Sequence, residues 1–152
     1  MLKLRKNSAA FTLIELLVVV IIVAILAAVG VPLLAGNIER AKGTEAEAGL
    51  GTIRTAMRSF FAEHGTYAGA TMSNIGLKLR ADGAPVGDLD GHFYSEEAYS
   101  VIPGGGAPSI TFCARATGAN SVDPPAPKEA EVATIDRAMN EQGTIFNTLP
   151  GC

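Results

Sequence analysis

The chain has 152 residues, with 12 Lys plus Arg against 15 Asp plus Glu and a formal charge of −3. That length suggests one domain, and the acidic balance argues against an obligatory nucleic-acid surface, which is normally basic. Trp is absent and aromatics make up only 6 % of the chain, so a globular part has a modest core and benefits from a covalent staple.

Residues 1–10 are short and basic, with Lys3, Arg5 and Lys6, and read as a leader outside the fold. Leu16–Ala35 follows as 20 consecutive residues without a charge or a strongly hydrogen-bonding side chain. About 20 helical residues span the roughly 30 Å hydrocarbon layer. The run is rich in β-branched residues, from Val18 through Val23. Helix is still expected, because in lipid only a helix satisfies every backbone donor and acceptor within one segment. No Lys or Arg occurs after Lys6 until Arg40, and this asymmetry keeps the N-terminus cytoplasmic and places the rest of the chain outside. A secretory signal has a shorter apolar region and a small-residue cleavage site, for which Ala35-Gly36-Asn37 is a poor match. An ordinary single-pass anchor leaves Glu15, at the start of the span, without a purpose.

Ala10-Phe11-Thr12-Leu13-Ile14-Glu15-Leu16-Leu17, after a basic leader, resembles the N-terminus of type IV pilins and type II secretion pseudopilins. The resemblance covers about Lys3–Arg40 closely and the remainder by layout. It implies a cut by a prepilin peptidase between Ala10 and Phe11, with Ala10 standing where the family prefers Gly. It also implies N-methylation of the new Phe11 amine and an assembly role for Glu15 with Phe11. Pro32, close to Gly30, matches the family's kink-forming proline. Removing residues 1–10 leaves 142, with 9 basic against 15 acidic residues and a formal charge of −6.

Helix is expected from Phe11 to about His64. A kink or locally melted stretch is expected around Val29–Leu34, because Pro32 removes a helical donor and crowds the preceding turn. Ala46, Leu50, Ile53, Met57 and Phe60 form one apolar stripe at helical spacing. Gly43, Gly49 and Gly51 each cost about 1 kcal/mol relative to Ala, so this half depends on packing. The face bearing Glu39, Arg40, Lys42, Glu45, Glu47 and Arg54 is expected to be wet or to meet a neighbouring subunit. Gly65 supplies a left-handed cap after His64. Residues 66–93 lose periodicity and read as a long surface connection, unusual in a compact domain unless functional.

Ala98–Ile102 and Ser109–Arg115 read as antiparallel strands around the turn-forming Pro103–Pro108, with Ile110, Phe112 and Ala114 facing the core. Asn120–Pro127 reads as an exposed loop. Val132–Arg137 and Thr144–Thr148, flanking Asn140–Gly143, suggest a second hairpin; a helix through Val132, Ile135 and Met139 is the alternative. Both cysteines, Cys113 and Cys152, fall on the exported side, where disulfides persist, and a bridge between them is expected to close the C-terminus.

Several constellations carry no chemistry. Asp88-Leu-Asp90-Gly91, with Asp82 nearby, lacks the EF-hand Gly and Glu, since Phe93 and Tyr99 occupy those positions; a turn of solvated acids is expected, although the resemblance keeps calcium in a head loop in view. His64 and His92 have no metal-ligand spacing. Gly104–Gly106 lacks the Lys of a phosphate loop, and no nucleophile motif accompanies Cys113. No enzyme, metal or cofactor is expected.

The fold expected is α+β and pilin-like: a leader at 1–10, an apolar transmembrane and filament-core helix at 11–38 that protrudes, and a head at 39–152 in which the amphipathic half-helix packs on a small antiparallel sheet. By resemblance the partners are further copies of the chain, a prepilin peptidase, inner-membrane assembly machinery and membrane lipid. The subunit waits in the inner membrane, then enters an extracellular pilus. The alternative is the major pseudopilin of a type II secretion system, in a periplasmic pseudopilus; Tyr67 after Gly65-Thr66 resembles its head loop, while a stapled C-terminus favours the pilin. A membrane-anchored binding head is the reading from another class.

Overall fold

The structure is a computed structural model and describes residues 11–80, 87–121 and 132–149. The chain divides into two units, Met1–Ile38 and Glu39–Cys152. One helix, α1, runs Leu13–His64 and contributes to both.

In the first unit every large apolar side chain from Leu13 to Ile38 is exposed. An 18-residue window there has a mean hydropathy of 3.2, and the helix is long and apolar enough to cross a membrane. Pro32 lies inside the helix, and Val29–Leu34 remain helical, so the melted stretch expected there does not form. Proline forfeits a single N–H, and the turns on either side keep their own.

In the second unit α1 buries Gly43, Ala46, Leu50, Ile53, Met57 and Phe60, the expected stripe extended by one turn. Its end is capped as glycine allows: Gly65 has φ +69 and donates its N–H to Phe61 O at 2.8 Å. The exposed His64 ring stacks on Phe60 at 4.1 Å. Gly49 has a packing reason, because a Cβ there would overlap the Tyr99 phenol.

Four strands form an antiparallel meander, β1 (Tyr99–Pro103), β2 (Phe112–Ala116), β3 (Arg137–Asn140) and β4 (Ile145–Phe146), in the order β1-β2-β3-β4. Val101 faces Ala114, and Ala114 faces Met139. Phe112, Ala114, Ala116, Tyr99 and Met139 join the helix stripe in one core. Architecture is therefore α+β, a long N-terminal helix with a small antiparallel sheet.

Two expectations about the sheet need correction here. Ile110 is 62 % exposed, whereas Ser109 is buried. Residues 109–111 precede the strand and are tied elsewhere: Ser109 O accepts Tyr67 N at 2.7 Å, and Ser109 Oγ donates to Gly104 O at 2.7 Å. The second hairpin forms, but its first strand begins at Arg137 and not at Val132, which is buried in a turn. Gly143, at φ +91, makes the tight return. The Asn120–Pro127 loop lies largely outside the described residues.

The connection after α1 is also more than a surface loop. Tyr67, Ala70, Ile75, Leu79 and Leu89 from it are buried, so its side chains help to close the core. Asp90 is not a solvated acid: its fully buried side chain lies 3.1 Å from Arg80 Nη2 and accepts backbone N–H donors from Gly87 at 2.8 Å and Glu96 at 3.0 Å. Arg80 Nη2 also reaches Glu97 at 3.0 Å.

Much of the charged helix face turns inward too. Glu45 Oε1 accepts the N–H groups of Phe93 at 2.6 Å and Tyr94 at 2.8 Å. Arg54 donates to Glu141 O and Gln142 O, each at 3.0 Å, and Glu47 pairs with Arg137 at 3.3 Å. Glu39 and Arg40 are exposed. Glu45 and Arg54 thereby satisfy loop and turn backbone groups.

Candidate functional site at the start of the apolar helix

Phe11, Thr12 and Glu15 open the helix, and all three are exposed in the single chain. Thr12 is the N-cap. Its backbone N–H donates to Glu15 Oε2 at 2.9 Å, its hydroxyl donates to the same oxygen at 2.9 Å, and Glu15 N–H lies 3.3 Å from Thr12 Oγ1. This is a capping box, in which residues three apart satisfy each other's donors at a helix start. Sequence reasoning missed it, although the Thr-x-x-Glu spacing at 12–15 is its ordinary signal.

The box fixes the carboxylate. Both hydrogen bonds that Glu15 accepts from Thr12 fall on Oε2. Phe11, Ile14, Glu15, Val18 and Val19 line one shallow concavity, the face generated by spacings of three and four. Phe11 and Glu15 therefore lie on the same side of the helix start, within an otherwise apolar surface. A carboxylate so placed is costly in an apolar surround unless an opposite charge joins it. No Lys or Arg lies in residues 11–38.

Other anticipated sites are placed as follows. Ala10, on the leader side of the expected cut, is outside the described residues. So are Cys152 and Asp82. Cys113 is buried in β2 opposite Asn140. Among the described residues no group of three or more His, Cys, Asp or Glu is arranged to hold a metal ion. His92 is exposed and packs edge-on against Phe93 at 4.6 Å, whereas His64 lies at the end of α1.

Burial holds the tyrosine hydroxyls protonated. Tyr94, with no exposed surface, is pushed up to about 12, and its hydroxyl donates to Ile135 O at 2.5 Å. Tyr99 and Tyr67 are raised by burial as well. These groups serve the core.

Comparison with known proteins agrees with the geometry. Residues 5–31 match the model of the prokaryotic N-terminal methylation motif. The chain is 32 % identical over 163 residues to the type IV major pilin protein PilA of Myxococcus xanthus (strain DK1622), covering 99 % of this chain and 72 % of that one. No solved structure gives a significant match. Likeness over nearly the whole chain, joined to a methylation motif over the capped apolar helix, makes this protein a member of the type IV pilin family, whose members are structural subunits and not enzymes.

Proposed function

We propose that this chain is a structural subunit of an extracellular type IV pilus. A prepilin peptidase cuts between Ala10 and Phe11, the new Phe11 amine is methylated, and the subunit waits in the inner membrane with its N-terminus cytoplasmic. Inner-membrane machinery then packs residues 11–38 of successive copies into a homopolymeric filament whose heads face water. The observation that supports this most is the capped helix start: a fixed carboxylate, Glu15, in an exposed apolar face with no Lys or Arg nearby in sequence. The Phe11 amine released by the cut is the cation that suits it, on its own or an adjacent copy.

The relative being a major pilin favours this reading. The runner-up is a pseudopilus subunit, for which Gly65-Thr66-Tyr67 speaks, with Gly65 at φ +69 and Tyr67 buried at the start of the connection. The intact mass of subunits from sheared surface filaments tests the proposal: a mature chain starting at methylated Phe11 is expected. A start at Met1 or near Asn37 overturns it, as does a chain found uncleaved and monomeric in the membrane. Absence of surface fibres despite correct processing transfers the subunit to a pseudopilus.

A further inference from the structure

A cavity of about 180 Å3 opens on the head, wholly within the second unit. It is lined from α1 by Glu45, Ala48 and Gly49, from the connection by Asp88 and Leu89, and from β1 by Tyr99. Tyr99 is 5 % exposed, and its ring joins the core. Its hydroxyl lies against Gly49 at the cavity wall and bonds to nothing among the described residues, whereas a buried hydroxyl ordinarily has a partner. Burial, and then the Glu45 charge, hold that hydroxyl protonated.

Charge at the cavity is unbalanced. Asp90, which also borders it, is answered by Arg80. Glu45 instead accepts the N–H groups of Phe93 and Tyr94, and Asp88 accepts that of Lys78. Neither forms an ion pair among the described residues, and neutral amides leave both carboxylates negative. A group that fits here is positive, has several N–H donors for the carboxylates and the phenol oxygen, and carries an apolar stem for Ala48, Leu89 and the Tyr99 ring. A bare metal ion suits the cavity less, because among the described residues no three acidic or histidine groups are arranged to hold one. We propose that this cavity binds the tip of an alkylammonium or guanidinium group, with Glu45, Asp88 and the Tyr99 oxygen as its acceptors. That chemistry has two sources, a free amine and a Lys or Arg side chain of a second copy; the second source rests on the pilus reading, and the site itself does not.

To test this, isotope-labelled full chain in zwitterionic detergent is titrated with n-butylammonium or methylguanidinium. Tetramethylammonium, which has no N–H, is the control at equal ionic strength. Saturable shifts of the Gly49, Leu89 and Gly91 amide resonances are expected from the first two, with a Kd on the order of millimolar, and none from the control. Tyr99→Phe removes an oxygen that the described chain does not use, so it should leave the denaturation midpoint unchanged while weakening binding roughly tenfold. Asp88→Asn should also weaken binding without unfolding the head. Absence of saturable shifts, the same shifts from tetramethylammonium or calcium, or binding untouched by both variants overturns the proposal. So does a lowered midpoint for Tyr99→Phe, which would show the hydroxyl to be partnered within the chain. Saturation transfer from sheared filaments to methylguanidinium then identifies the source. Transfer that Tyr99→Phe abolishes supports a free amine. No transfer, with Tyr99→Phe filaments dissociating at lower salt than the parent, supports a second copy, and no transfer without that difference overturns the site. Absence of filaments bears on the pilus reading alone, since the titration of the subunit needs none.

Discussion

The Asp90 carboxylate and the Arg80 guanidinium meet 3.1 Å apart, the carboxylate without solvent exposure and the guanidinium still partly in water. Asp90 also receives two backbone N–H groups, so one side chain supplies the polar interior of the connection after α1. Asp90→Ala removes one of the two carboxylates at Arg80 and strips the Gly87 and Glu96 amides of their acceptor, and should destabilise the head by roughly 3 kcal/mol. Asp88→Ala, at an exposed neighbour, should cost under about 1 kcal/mol. Chemical denaturation of the full chain in detergent, followed by tyrosine circular dichroism, separates them; equal losses would return Asp90 to being a surface acid.

Alkaline pH gives a second prediction. Tyr94, Tyr99 and Tyr67 all keep their protons more tightly in the folded chain than the ordinary value near 10. The folded state then binds more protons than the unfolded one above pH 10, so stability is full below that value and falls as pH rises. For Tyr94 the loss runs from about 10 to about 12, at up to about 1.4 kcal/mol per pH unit within that window. Spectrophotometric titration should show tyrosinate appearing late and together with unfolding. Ionisation of all three near pH 10 in a folded chain would show the core to be wetter than described.

The cysteine bridge supplies a third. Cys113 is buried in β2, and a link to Cys152 would anchor the chain end, which otherwise frays. Cys152→Ser should lower head stability by roughly 2–4 kcal/mol. Non-reducing peptide mapping of exported protein checks the pairing first, and two unreacted thiols would end the idea.

Glu15 gives the fourth. Glu15→Ala should leave membrane insertion and cleavage before Phe11 intact while abolishing or severely slowing filament growth. Thr12→Val should keep the charge but release it from the capping box, fraying the first turn by about 1 kcal/mol, with Thr12→Ser restoring it. Amide hydrogen exchange in the first turn reads the cap, and counting filaments reads assembly. Normal filament numbers from Glu15→Ala as sole subunit would deprive the carboxylate of its assembly role.

What could be read from sequence was whatever repeats locally. The stripe from Ala46 to Phe60 emerges because helical spacing puts those residues on one face, and the Gly65 cap and the Gly143 return follow from conformations that glycine tolerates. The capping box was equally local and simply overlooked. Long-range polar ties were not legible: Glu45 reaches amides 48 and 49 residues away, and nothing in its helical neighbours marks it as different from a solvated acid. Ile110 failed for a related reason, since alternation assumed a strand where the backbone at Ser109 was already committed to Tyr67.

The contact between Gly49 and Tyr99 ties two distant positions together. Each glycine in the head half of α1 looks, from helix propensity, like a place to gain about 1 kcal/mol by inserting alanine. At Gly51 nothing lies within 4 Å of an added methyl group, and the gain should be realised. At Gly49 the methyl group enters the Tyr99 ring, and at Gly43 it meets the Arg137 guanidinium. A rigid aromatic ring yields less readily than a flexible arginine tip. Drift at position 49 is therefore conditional on position 99: any relative with a larger residue at the first should carry a smaller one at the second, and swapping either alone between such chains should be worse than swapping both.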